Sequence, residues 1–241
     1  MAVQRGLLLI ADIAGYTRFM EFHRADLAHA QDVVARLLEA MFDASSALDL
    51  VEVEGDAAFM YRPLPGGTGP DLVESALRQA VAMHTAFHAL QQKIACLNNC
   101  PCQGCVQVAN LKVKFVAHLG DVAPQRVKRL TKLAGFDVIF VHRMLKNSVP
   151  VREYLLMSEP LWERADERVR TGARLLEEEL EGVGRARTWY LDLAALAVPL
   201  PPRPKVTWLA QQRETLGVVL RALPYALGLR KLGGLRNLTP V

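Results

Sequence analysis

The 241-residue chain lacks a long apolar run at its start: "MAVQRG" offers one Arg, and the apolar stretch behind it meets Asp12 almost at once. A signal-peptide core needs about 7–15 apolar residues and a membrane span about 20, so the expectation is a soluble, cytoplasmic protein. Cysteine is missing from nearly the whole length. All four, Cys96, Cys100, Cys102 and Cys105, fall within "CLNNCPCQGC", which excludes a disulfide framework spread through the fold. A net positive charge is missing from the body. From Arg203 onward seven basic residues face one acid, giving +6, while residues 1–202 carry −2. The body is therefore not a nucleic-acid binder by charge, and only the tail invites anionic partners. No internal repeat or low-complexity tract is visible, and 51% hydrophobic content excludes a disordered chain.

Residues 7–12 read as a strand buried on both faces, because Leu7 to Ala11 run continuously apolar rather than alternating before Asp12. Beyond Gly15, Leu27, Val34, Leu37, Leu38 and Met41 recur at helical spacing, which predicts one long amphipathic helix through "FHRADLAHAQDVVARLLEAMFDASSAL". "DLVEVEGDAAFMYRP" reads as two strands about a tight turn at Gly55 and Asp56, and "LPGGTGPD" as a loop. A second helix opens at Pro70 and Asp71 and carries Leu72, Leu77, Ala80, Val81, Phe87 and Leu90 inward. In "LKVKFVAHLGDV", Val113, Phe115 and Ala117 share one strand face and Lys112 and Lys114 the other. Gly135 separates a basic segment from a helix-like run ending near Lys146. "REYLLMSEPLWERA" is a strand and a helix start with Ser158 as N-cap, and "RTWYLDL" is a last strand. The proline-rich "PLPPRPK" suggests a boundary between a domain of residues 1–198 and an extension of residues 199–241. Mixed elements without regular βαβ repetition imply an α+β fold, a ferredoxin-like split βαβ sheet with helices packed on it.

In such a sheet the first strand and the following hairpin can be central neighbours, bringing Asp12 and Asp56 to one site. Two carboxylates beside an open turn suit Mg²⁺ or Mn²⁺, which take oxygen ligands and retain phosphates or waters. Taken in order, "ADIAGYTRFM", "VEVEGDAAFMY", "FVAHLGDV" and "GFDVIFVHRM" resemble the class III adenylate and guanylate cyclase catalytic domain. The resemblance runs through "LLMSE" and "LEGVGRARTWYL", over roughly residues 5–193, and is closer still to a bacterial cyclase-related group without assigned function. It implies two divalent ions on Asp12 and Asp56, with the Ile13 carbonyl between them. It also implies a turn at Gly15 and Tyr16 against a triphosphate, and a head-to-tail homodimer. Glu52 and Lys132 match the base-selecting positions. Glu52 alone favours guanine, whose N1–H and 2-amino group donate to a carboxylate, while Lys132 matches neither usual class. Arg143 matches the arginine that reaches across the dimer to stabilise phosphate charge, but the ribose-orienting asparagine is replaced by Ile139. The resemblance thus implies a purine nucleoside triphosphate and, in an active enzyme, a 3′,5′-cyclic nucleotide. The alternative is a degenerate nucleotide- or metal-sensing domain.

The cysteine spacing C-x3-C-x-C-x2-C could wrap a tetrahedral Zn²⁺, with an iron–sulfur cluster or free redox thiols as alternatives. His84 and His88 share a helix face at i and i+4, a spacing also suited to metal. His118 reads as a packed strand histidine. The apolar, basic tail is either a segment that docks on anionic lipid or a helix packing on its own domain or a dimer partner.

Overall fold

The first strand, β1 (Gln4–Ala14), is buried along both faces because it lies inside a sheet covered on both sides. In the computed structural model, residues 3–23, 27–65, 71–97, 107–128, 130–196, 200, 202–203, 205–227 and 229 are described. Cys100, Cys102 and Cys105, most of the glycine-rich loop and the last residues of the tail lie outside them. Strand β1 pairs antiparallel with β3 (Ala57–Pro63) on one side and β4 (Lys112–Val127) on the other. The pairing carries it two residues past the expected end, so Asp12 stands inside the strand rather than closing it.

The hairpin of β2 (Asp49–Glu54) and β3 turns at Gly55–Asp56, where Gly55 takes φ 64°, left-handed backbone that costs glycine least. The remaining strands are β5 (Leu130–Ala134), β6 (Tyr154–Ser158), β7 (Arg174–Leu180) and β8 (Gly184–Asp192). Their order is β2-β3-β1-β4-β6-β8-β7, with β5 paired to the far end of β4. The β2-β3-β1-β4 half is the split βαβ arrangement, and β6 joins it parallel to β4.

Strand alternation divides the core in two. Leu7, Leu9, Ala11, Ile13, Val113, Phe115, Leu155 and Met157 face the helices α2 (Leu27–Ala44) and α3 (Leu72–Leu97). Leu8, Ile10, Val116, Tyr154 and Leu156 face the other way, against α4 (Phe136–Arg143). Helix α2 buries Ala30, Val33, Val34, Leu37, Leu38 and Met41, an i, i+3, i+4 stripe that has no reason to form without the sheet beneath it. Truncating a fully buried leucine such as Leu9 or Leu37 to alanine would cost about 2–5 kcal/mol.

The single long helix expected after Gly15 is instead two, α1 (Tyr16–Phe22) and α2. The break follows His23, a buried C-cap whose Nδ1 lies 2.8 Å from the Phe19 carbonyl oxygen. Strand β7 has no sequence counterpart above. It is an edge strand that pairs only with β8, and its consecutive acids meet arginines there instead of a core, as Glu177 does with Arg185 at 2.6 Å. Two short helices, α5 (Glu159–Trp162) and α6 (Glu167–Gly172), a 3-10 turn at Val108–Asn110 and a C-terminal helix α7 (Trp208–Ala226) complete the described elements. Ser158 sits at the N-cap of α5, but its hydroxyl is turned to His118, so it makes no side-chain cap. Helix α7 touches α3 yet exposes Trp208, Leu209, Leu216 and Leu220. No helix among the described residues is long and apolar enough to cross a membrane.

Candidate functional site

At the end of β1, Asp12 is opposite Ala57 on β3 and Lys114 on β4. The Ile13 N–H donates to the Asp56 carbonyl at 3.2 Å, which ties the hairpin tip to the end of the strand. Asp12 and Asp56 are therefore brought to one corner, and Lys114 joins them with Nζ 2.9 Å from Asp12 Oδ2. Burial of Asp56 and the negative charge of Asp12 push the Asp56 carboxyl up to about 6. Burial works against the charge on Lys114, but the Asp12 carboxylate outweighs it and raises the ammonium above its ordinary value. Tyr154, raised by burial, completes the corner on β6.

Beside these groups opens a cavity of about 710 Å³ lined by Gly15, Arg18, Lys112, Lys114, Arg152 and Tyr154. Gly15 turns the chain there with φ 91°. Tyr16 is half-buried, and its hydroxyl accepts from Gln31 Nε2 at 3.3 Å. Four cations around one mouth suit a polyanion.

Glu52 and Lys132 also come together, although 80 residues separate them: Lys132 Nζ lies 2.5 Å from Glu52 Oε1 across β2 and β5. The Glu52 carboxylate raises the Lys132 ammonium above its ordinary value. Arg143 is elsewhere. It ends α4 and pairs with Glu181 at 3.0 Å, while Ile139, a turn earlier, is 53% exposed. His118 is the packed strand histidine expected. It is 3% exposed, with Nδ1 2.7 Å from Ser158 Oγ and Nε2 3.2 Å from Asp137 Oδ1. Burial lowers its pKa against the opposing pull of Asp137. Ser158 is fully buried, so this Ser–His–Asp alignment anchors α4 and offers no nucleophile to solvent.

Arg18, Lys114, Arg152 and Glu153 are not singled out as site residues by the sequence. Lys114 reads there as a strand-face lysine without a partner; the alignment of β1 against β4 is what sets it opposite Asp12. Glu153, just before β6, lies on the other face of the sheet beneath His84 and His88. Burial alone would raise this carboxyl, but the two imidazoles and Lys112 hold it well below the usual carboxylate range. Of the cysteine cluster only Cys96 is described. It is half-buried on the last turn of α3.

The fold is that of class III adenylyl and guanylyl cyclase catalytic domains. The guanylyl cyclase Cya2 superposes with a TM-score of 0.59 at 19% identity, covering 78% of this chain and 92% of that one. The guanylate cyclase domain of RhGC from Catenaria anguillulae, solved in complex with GTP, gives 0.56 at 14% identity over 79% and 97% of the two chains. A bacterial light-regulated adenylyl cyclase gives 0.58 at 11% identity over 88% and 58%. At the level of sequence, residues 34–154 match the family described as "Protein of unknown function (DUF2652)", and the chain belongs to it. It is 42% identical over 206 residues, 85% of this chain and 94% of the relative, to "Uncharacterized protein Rv2561/Rv2562" of Mycobacterium tuberculosis.

Proposed function

We propose that the chain is a divergent nucleotidyl cyclase-like domain that binds a purine nucleoside triphosphate at the Asp12–Asp56 corner. The observation that carries this reading is the geometry: the Ile13 N–H bond to the Asp56 carbonyl brings Asp56 beside Asp12 at the edge of a cation-lined cavity. Carboxylates that repel one another gain from a shared cation, and an all-oxygen donor set suits Mg²⁺ or Mn²⁺, so these residues fit the ions the fold family implies. Asp12, Asp56 and the Ile13 carbonyl would hold them. Bound there, the ions neutralise triphosphate charge and acidify a coordinated hydroxyl.

The chain's own groups supply the rest. Arg18, Lys112 and Arg152 would bind phosphate oxygens in the cavity. Glu52 and Lys132 would open their pair onto a base edge, Glu52 accepting from N1–H and the 2-amino group of guanine and Lys132 donating to O6. Adenine presents a donor to the lysine and an acceptor to the carboxylate, so GTP is the favoured triphosphate. Arg143 would have to leave Glu181 to reach a phosphate in a second copy of the chain, in the head-to-tail homodimer.

Incubating the full chain with Mn²⁺ and each triphosphate, then searching for 3′,5′-cyclic product by mass spectrometry, tests the reading. GTP should give the largest signal. No product from any triphosphate, together with unchanged nucleotide affinity in Asp12→Ala, would remove it. A second reading, nucleotide binding without turnover, is favoured by two observations: Lys114 already supplies a cation to Asp12, and Ile139 cannot hydrogen-bond a ribose. GTP bound in calorimetry with no product after long incubation selects it.

A further inference from the structure

The helix-covered face of the sheet holds a second group of ligand-type side chains. His84 and His88, one turn apart on α3, are each 4% exposed, with ring centroids 4.5 Å apart. Glu153 Oε1 lies 2.6 Å from His88 Nε2 and 3.4 Å from His84 Nε2, and one ligand atom from each of the three falls within 4.8 Å of the others. The hydrogen-bond pattern behind them is directional. Gln91 Nε2 donates to the Val108 and Leu111 carbonyls at 2.8 and 2.6 Å, so its Oε1 must be the acceptor that lies 2.8 Å from His88 Nδ1. That fixes the Nδ1 proton and leaves Nε2 as the nitrogen facing Glu153. Outer-sphere amides and carbonyls hold metal-bound histidines in this way.

His84 has no comparable explanation as a packing residue. Its Nδ1 has no hydrogen-bond partner among the described residues, and its Nε2 has only the long 3.4 Å approach to Glu153. One histidine would suffice to pair Glu153; the second is accounted for by a ligand shared among the three. A cavity of about 560 Å³ opens on the group and is also lined by Gln92, Cys96 and Lys112, which leaves a coordination position accessible. Gln92 Oε1 is a further buried acceptor without a partner among the described residues.

We propose that His84 Nε2, His88 Nε2 and Glu153 form a three-ligand site for a divalent transition metal of the zinc class, separate from the Asp12–Asp56 corner. Two imidazoles and a carboxylate with one open position match tetrahedral Zn²⁺ and disfavour Mg²⁺, which seeks oxygen alone. A proton held in the His88 Nε2–Glu153 Oε1 contact would leave to solvent as the ion took its place.

The test uses the full chain carrying Cys96→Ser, Cys100→Ser, Cys102→Ser and Cys105→Ser, so that thiolates cannot supply the binding. After chelator treatment it is titrated with Co²⁺, displaced with Zn²⁺ and crystallised for anomalous scattering at the zinc edge. One equivalent of Co²⁺ should bind with visible d–d bands and no sulfur charge-transfer band. Zn²⁺ should displace it, and the anomalous peak should lie among the three side chains. His88→Gln and Glu153→Gln should lose this binding. Gln91→Ala, which removes the partner of His88 Nδ1 and leaves the three ligand side chains in place, should weaken it roughly 10–100-fold. The anomalous peak needs no ligand variant, so it decides the matter even if those substitutions unfold the chain. Absence of a peak at the three side chains, or unchanged Co²⁺ binding in a folded His88→Gln chain, would overturn the proposal.

Discussion

Two acids on opposite faces of one sheet are driven in opposite directions by what surrounds them. Asp56 shares its corner with Asp12 and only one nearby ammonium, so burial and like charge push its carboxyl up to about 6. Glu153 is comparably buried, yet two imidazoles and Lys112 hold it below the ordinary range. Burial raises both, so the difference lies in the sign of the neighbours rather than in depth. The first corner is short of positive charge and gains from added cations. The second already sets two imidazoles and an ammonium around its acid.

Removing the acid from the well-compensated side should have the largest effect. Glu153→Ala leaves two buried imidazoles and a lysine facing no anion, and denaturant titration should show a loss of about 3–5 kcal/mol, the usual consequence of deleting one partner of a buried pair. On the other face, Asp12→Ala should lower any cyclic-nucleotide formation roughly 10²–10³-fold, the scale expected when a single transition-state charge contact is removed. It should also let the Asp56 titration, followed by carboxyl carbon NMR, fall back toward the ordinary value of 3.8.

A pH series sharpens the contrast further. Because the folded Asp56 binds its proton more tightly than the unfolded chain does, its contribution is fully present below about 3.8 and is lost as pH rises through about 6. Without metal, Asp56→Asn should therefore melt above the parent chain at pH 7, and the gap should close near pH 4. Saturating Mn²⁺ should close it at pH 7 as well. Smallest of all, Glu52→Gln should leave the melting temperature unchanged, since its pair with Lys132 is a surface contact, while reducing the preference for GTP over ATP in a binding assay.

The half of the first corner that rests on short-range signals was legible. An apolar run into Asp12, a glycine turn after it and Gly55 beside Asp56 each announce themselves within a few residues. The cation facing Asp12 was not, because it depends on how β1 aligns with a strand about a hundred residues away. Glu153 was hidden for the same reason. Its histidine partner is 65 residues distant, and nothing in "REYLLMS" says that α3 covers that end of β6. Strand β7 was lost to its own chemistry, since three consecutive glutamates erase the alternation by which a strand is recognised.

Glu153 and Tyr154 are consecutive, and the pleat sends one toward the histidines and the other toward Asp12 and Lys114. A slip of β6 by one residue would not loosen one site while sparing its neighbour. It would drive a phenol between His84 and His88 and deliver a carboxylate to a corner that already has too many. Correct alignment of this single five-residue strand is thus a shared condition for both faces, and a misaligned sheet would fail at two chemistries at once.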